Sequence, residues 1–254
     1  RSYGEYGGRV SQPDGSFRME GRVPGLVGHM APKFGLPVQP DRNARDTDRI
    51  DQFLEEFRQY EQNGNLPRFM VMSLGEDHTQ GTKPGAPTPQ ACVASNDLAL
   101  GRLVEAISQS RFWRETVIFA IEDDPQAGWD HVSGYRTTAY VISPYTRRGA
   151  VIRTQYNTTS ILRTIEQILG LPPMNQFDAT ATPMFDCFTA APNLTPFNAV
   201  PNNIPLDEMN PDPKKLSDPL LRQNAYASAR LPLQAPDRCP EDLLNRILWH
   251  AMKG

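Results

Sequence analysis

Residues 116–132 read Thr116-Val117-Ile118-Phe119-Ala120-Ile121-Glu122-Asp123-Asp124-Pro125-Gln126-Ala127-Gly128-Trp129-Asp130-His131-Val132. The first six are a short, continuous apolar run of the length of a strand, and continuity rather than alternation predicts a strand buried on both faces. Four carboxylates and a histidine follow within ten residues. In open α/β sheets ligands sit beyond the carboxyl ends of strands, so this position is where chemistry is expected.

The same arrangement occurs upstream. Phe69-Met70-Val71-Met72-Ser73-Leu74 lies between Pro67 and Gly75 and reads as a buried strand, and Gly75-Glu76-Asp77-His78-Thr79-Gln80-Gly81 follows it. Between and around the two strands come helices. Asp46 and Asp48 precede Ile50, Phe53, Leu54, Phe57 and Tyr60, and Gly64 closes the run, which predicts an amphipathic helix with acids at its positive end. A second helix is predicted over Pro89 to Gln109, with Leu100, Leu103, Val104 and Ile107 inward. A strand from Thr138 to Ser143 stopped by Pro144 and a helix from Thr158 to Leu169 ending at Gly170 come next. Alternating apolar strands and helices predict an α/β fold, a sheet covered by helices on both faces.

The ends of the chain read differently. Arg1 to Arg45 is rich in Gly and Pro and predicts irregular structure, apart from a short strand near Arg1 to Tyr6. Proline makes up 24 of the 254 residues, about 9% against a usual ~5%, and 13 of the 24 fall between Pro172 and Pro240. That stretch reads as a meandering arm, too apolar for simple disorder, whose Phe185, Phe188, Phe197 and Leu206 pack on something. A helix from Glu241 to Met252 closes the chain, with Leu243, Leu244, Ile247, Leu248 and Ala251 in one stripe after Pro240. The expected division is therefore an α/β core over residues 1–171 and a Pro-rich arm with terminal helix over 172–254. Trp113 and Trp249 are assigned to the core.

Composition excludes several functions. The formal charge is −3 and the sequence pI is 5.9, so no broad basic surface exists to bind nucleic acid by counterion release. Mean hydropathy is −0.52, and no apolar run approaches the ~20 residues of a membrane span. Three cysteines without CxxC spacing argue against a thiolate metal site. The first residues, Arg1-Ser2-Tyr3-Gly4-Glu5, carry neither an initiator Met nor a signal peptide and read as the start of a processed or truncated chain.

Crowded carboxylates repel one another unless a cation, proton or basic side chain intervenes, and a divalent metal is the economical solution. Of the four histidines, His78 and His131 fall beside aspartates in the two loops after strands. Asp/His sets on separate loops are common O/N ligands of Zn²⁺ and related metals. The competing reading of either loop alone is a solvated turn or a helix cap. His29, without a neighbouring carboxylate, reads as structural, and His250 as a partner of its helix dipole. Arg147-Arg148 reads as a solvated basic turn in preference to a phosphate clamp.

Asp123-Asp124, a three-residue gap, and Gly128-Trp129-Asp130-His131-Val132 resemble the metal-binding loop of the bacterial phosphoesterases related to phospholipase C and acid phosphatase, in the alkaline phosphatase superfamily. The resemblance extends to Asp77-His78-Thr79 and to Val141-Ile142-Ser143-Pro144-Tyr145, and covers roughly residues 66–190. It implies an alkaline-phosphatase-like sheet. It also implies Asp123, Asp124 and His131 as metal ligands or near neighbours, with Asp77 and His78 at the same site, around a divalent metal: zinc first, calcium or manganese as alternatives. Where close relatives carry an acid and a second His after Asp-His-Val, this chain has Ser133 and Tyr135.

In that family the nucleophile lies in an N-terminal half that nothing in Arg1 to Arg45 resembles. The chain is therefore expected to represent the C-terminal part of a periplasmic or secreted phosphoesterase with an incomplete core, completed by an N-terminal half or a second chain, acting on a phosphate mono- or diester. Ser73, Thr79 and Thr82 are hydroxyls near the site by proximity only, and no catalytic residue is assigned. The alternatives are a non-catalytic structural or interaction subunit that keeps the fold, suggested by the missing nucleophile and the apolar arm, and a plain Ca²⁺-binding module, against which His78 and His131 count.

Overall fold

The computed structural model describes residues 1–38, 43–123, 135–233 and 238–253. In chain order the elements are β1 (Ser2–Tyr3), β2 (Gly7–Ser11), β3 (Phe17–Gly21), α1 (Asp46–Asn63), β4 (Val71–Met72), α2 (Pro89–Gln109), β5 (Ile118–Ile121), β6 (Ala139–Ile142), α3 (Thr158–Leu169), α4 (Gln176–Ala179), α5 (Pro219–Ser228) and α6 (Glu241–Lys253). They belong to two compact units: one holds residues 1–110, Tyr135 and the chain from Phe197 onward, the other residues 111–123 and 136–196. No helix among the described residues is long and apolar enough to cross a membrane.

In the first unit, β1 pairs in parallel with β4, Ser2 opposite Val71 and Tyr3 opposite Met72. The fully buried Tyr3 ring meets Phe34 and Phe53 edge-on, at centroid distances of 5.4 and 5.2 Å, and Phe53 stacks on Phe57 at 5.5 Å. That aromatic cluster is why α1 buries Ile50, Phe53 and Phe57, the stripe its spacing predicts. The helix starts where Asp48 Oδ2 accepts the Arg45 N–H at 2.8 Å, and it stops at Gly64, whose φ of +78° a side chain would resist. α2 starts on Thr88, which accepts the Ala91 N–H, with Pro89 in the first turn, and packs on α1.

Residues 7–21, expected to be irregular, form an antiparallel hairpin from Gly7↔Gly21 to Ser11↔Phe17. Asp14 Oδ1 takes the Ser16 N–H and O–H at the turn, and the Arg9 guanidinium lies 3.5 Å over the Phe17 ring. Turn chemistry rather than a buried face sets its register, so no apolar alternation announces it.

The segment from Phe197 onward returns along α2. Ser108 Oγ accepts the Phe197 N–H at 2.9 Å, Glu105 accepts the Ala199 N–H at 3.1 Å, and Glu208 O accepts the Thr88 N–H at 2.9 Å. Within the stretch read as a meandering arm stand two helices, α4 and α5, and α5 is opened by Asp218, which caps the Leu220 N–H at 2.7 Å. α6 places Leu244, Ile247 and Leu248 in a cluster with Leu231. Trp249, assigned to the core from sequence, is 57% exposed, because it lies off that stripe.

The second unit holds the β5–β6 pair, which is antiparallel, Ile118 opposite Ile142 and Ile121 opposite Ala139. One continuous sheet covered on both faces is not what the described strands form: they make three two-stranded sheets. The expected burial of the strands over residues 116–121 and 138–143 is also corrected, with Ile121 of the former 41% and Tyr140 of the latter 56% exposed. Each of these strands is too short to bury two faces, and an antiparallel pair readily leaves one face to solvent. The second unit is mixed α/β on a small scale. Arg147 and Arg148, read as a solvated turn, also brace the backbone by donating to Phe188 O and to Thr195 O.

In this unit Asp178 accepts the Met174 and Asn175 N–H groups at 2.6 and 2.9 Å. Burial opposes its ionisation, but hydrogen bonds with Glu166 and these amides outweigh burial and hold its carboxyl at about 2. A depressed carboxylate stabilises the fold above the unfolded-state value of ~3.9 and ceases to do so as pH falls to about 2. Asp178→Asn is expected to lower the melting temperature at pH 7, and thermal scans should show its gap from the unaltered protein closing between pH 4 and pH 2.

Candidate functional site

The first Asp/His loop begins where β4 ends. Glu76, Asp77 and His78 form one short turn of 3₁₀ helix. Glu76 and Asp46 exchange hydrogen bonds: the Glu76 N–H donates to Asp46 Oδ2, and the Asp46 N–H donates to Glu76 Oε2, both at 2.9 Å. Arg45 donates to Glu76 Oε1 and Arg49 to Asp46 Oδ1, so each buried or half-buried acid faces a guanidinium. Asn96 of α2 adds a donor to Asp46 Oδ2 at 3.0 Å and another to Leu74 O at 3.1 Å. The start of the loop is thereby fixed to both α1 and α2, and Glu76 is consumed in holding it.

Asp77 is different. Its carboxylate is half-buried and accepts no hydrogen bond among the described residues. The His78 side chain is exposed beside it. Burial first, then the Glu76 charge, push the neighbouring Cys92 thiol up to about 11, with Asp46 and Asp77 adding and Arg45 opposing. A half-buried carboxylate that accepts no hydrogen bond among the described residues could serve as a cation ligand, and the O and N donors of Asp77 and His78 suit a divalent transition metal.

Thr79 follows with φ +52° and ψ 176°. A β-branched residue resists that region, at a cost of order 1–3 kcal/mol, and such strain persists only where the surroundings over-determine it. The Thr79 hydroxyl accepts the Gly81 N–H at 2.9 Å, and the Thr82 hydroxyl pairs with Ser228 Oγ at 3.1 Å. Both threonine hydroxyls near the loop are therefore occupied in shaping it.

The second loop belongs to the other compact unit. Its strand pairing continues one residue beyond β5, with the Glu122 N–H donating to Thr138 O at 3.2 Å and the Thr137 hydroxyl to Glu122 O at 2.9 Å. Asp123 comes next, with its side chain exposed. Asp124 and His131 lie outside the described residues. Among the described residues no three His, Cys, Asp or Glu side chains stand together in a metal-ready group. The remaining histidines are elsewhere: His250 Nδ1 is 3.2 Å from Asn224 Nδ2, and the exposed His29 contributes its backbone carbonyl to the Ser2 N–H.

Sequence reading located the loop but missed Arg45, Asn96, Asn210 and Ser228, which hold it, and took Asp46 only as a helix-end acid. An Asn at position 96, inside an otherwise apolar helix face, is the one local signal that a polar contact was required there.

The Phosphoesterase family model matches residues 35–172, more than half of the chain and including both Asp/His loops, and the chain belongs to that family. No match was found among curated proteins. Membership points to phosphate esters as substrates and to their hydrolysis as the chemistry.

Two substitutions test the geometry. Asp46→Ala removes one member of a buried network and is expected to cost about 3 kcal/mol in urea unfolding. Thr79→Gly is expected to gain about 1 kcal/mol in the same measurement, against the usual effect of a new glycine, because the strained φ is relieved.

Proposed function

We propose that this chain supplies the metal ligands of an enzyme that hydrolyses a phosphate mono- or diester with the help of a divalent metal, zinc in first place. Asp77 and His78 on one loop, and Asp123, Asp124 and His131 on the other, are the ligands. The observation that carries the reading is the Asp77 carboxylate, which accepts no hydrogen bond among the described residues, while the adjacent Glu76 is locked in place. The family match spanning both loops supports it.

A bound divalent metal would polarise the phosphoryl oxygens and favour attack by a hydroxyl. The chain's own contribution is to present oxygen and nitrogen donors on a loop that does not have to reorganise when charge develops. No hydroxyl here is assigned as nucleophile, since those of Thr79 and Thr82 are already engaged. We infer that the nucleophile comes from an N-terminal half, and an alkaline-phosphatase-like layout and a periplasmic or secreted location belong to the same reading.

Elemental analysis of the full-length protein is expected to find a divalent metal, and hydrolysis of aryl phosphate mono- and diesters should fall by at least about 100-fold in Asp77→Ala and in His131→Ala, beyond what loss of an outer-shell partner costs. Absence of metal together with unchanged hydrolysis in both variants would overturn the proposal in favour of a non-catalytic subunit.

A further inference from the structure

We propose that Asn210, far from the Asp77-His78 loop in sequence, is a positioning residue for it, acting through residues 81–88 with Ser228 as its accessory. The inference rests on the metal reading of Asp77 and His78 given above. Asn210 is buried, and the two N–H groups of its side-chain amide are shared among three backbone carbonyls, Gly81 O, Lys83 O and Pro87 O, each 3.1 Å from Nδ2. Its backbone joins in: the Asn210 N–H donates to Ala86 O at 2.8 Å, and its carbonyl accepts the Gly85 N–H at 3.2 Å. An irregular stretch containing Pro84, Gly85 and Pro87 has no ladder in which to satisfy its carbonyls, and one side chain satisfies three of them.

Ser228, at the end of α5, accepts the Thr82 N–H at 3.0 Å. Gly81 has φ +58°, and a Cβ there would lie 2.8 Å from Ser228 Oγ, so the backbone is seated directly against that hydroxyl. The Gly81 N–H in turn donates to the Thr79 hydroxyl. The loop is thus pinned at both ends, by Asp46 at Glu76 and by Asn210 and Ser228 at Gly81 and Thr82, with the strained Thr79 between. Pinning at both ends is what sustains the positive φ of Thr79, and the Thr79 conformation sets the direction in which the chain leaves the turn that carries Asp77 and His78. Releasing one end lets Thr79 relax and moves the two ligands out of register.

An asparagine is required for the task. An aspartate of the same shape would turn a donor towards three carbonyls into an acceptor, and alanine would leave those carbonyls unpaired in a buried place.

The test is competition titration of Zn²⁺ and Co²⁺ into the metal-stripped full-length protein, with the Co²⁺ absorption spectrum as a reporter of ligand geometry. Asn210→Ala is expected to weaken Zn²⁺ binding by at least about 10-fold and to alter the Co²⁺ spectrum. Asn224→Ala, an equally buried asparagine of the same unit that contacts His250, is the control: it is expected to lower the melting temperature while leaving affinity and spectrum unchanged. Ser228→Ala removes a single oxygen, and a several-fold loss of affinity is expected from it even where Asn210→Ala does not fold. Unaltered binding in Asn210→Ala, or in Ser228→Ala if the former is unfolded, overturns the proposal, and so does an equal loss in Asn224→Ala. A wild-type protein that binds neither metal overturns the metal reading, and the positioning role with it.

Discussion

The exchange of hydrogen bonds between Asp46 and Glu76 is the constraint on which the first unit depends. It joins the first residue of α1 to the first residue of the Glu76–His78 turn, 30 residues apart, and Arg45, Arg49 and Asn96 supply the positive charge and donors that let two acids share a largely buried place. Without those partners a buried carboxylate costs more than the fold can offset, so the network is either complete or absent. Its completion decides three things together: where α1 begins, how β4 ends, and which face of the following turn is left open. That open face carries Asp77 and His78.

The same logic divides labour among the acids of the loop. Two adjacent carboxylates, Glu76 and Asp77, have nearly the same chemistry, yet one is saturated with donors and the other has none among the described residues. A saturated acid is a structural part, whereas an unsatisfied one keeps its lone pairs for a cation or a proton, and under the proposed function the cation is the choice, since phosphate ester chemistry gains from one that neutralises the substrate's oxygens.

Local signals in the sequence were legible wherever structure obeys local physics. The periodicity of Ile50, Phe53 and Phe57 and the glycines at 64 and 170 set helix limits within a residue or two. Both Asp/His loops stood out because charge is crowded there in the sequence itself. The hairpin over residues 7–21 and helix α5 were not legible, because neither shows a periodic apolar face: one is fixed by Asp14 at a turn, the other by the Asp218 cap and the contacts of Asn224, Ala225 and Ser228. Continuous apolar runs suggested one buried sheet, but a run such as Ile118 to Ile121 states only that its residues favour strands, not that two faces will be covered. Hardest to foresee were the partners of the loop, since nothing near Gly81 in the sequence points to Asn210 or Ser228.

That separation also governs the order of events as the chain is made. The carbonyls of Gly81 and Pro87 find their donor between 123 and 129 residues later, and Thr82 meets Ser228 at a separation of 146. Until residues 210 and 228 have been made, the Gly81 and Pro87 carbonyls and the Thr82 N–H lack these partners, and closing loops of that length is slow compared with forming α1 or α2. The stretch matched by the family ends at residue 172, before any of these partners has been synthesised. The Asp77-His78 loop therefore takes its shape late, after the helices around it, and when both Asp/His sequences have been made the partners of the first are still to come.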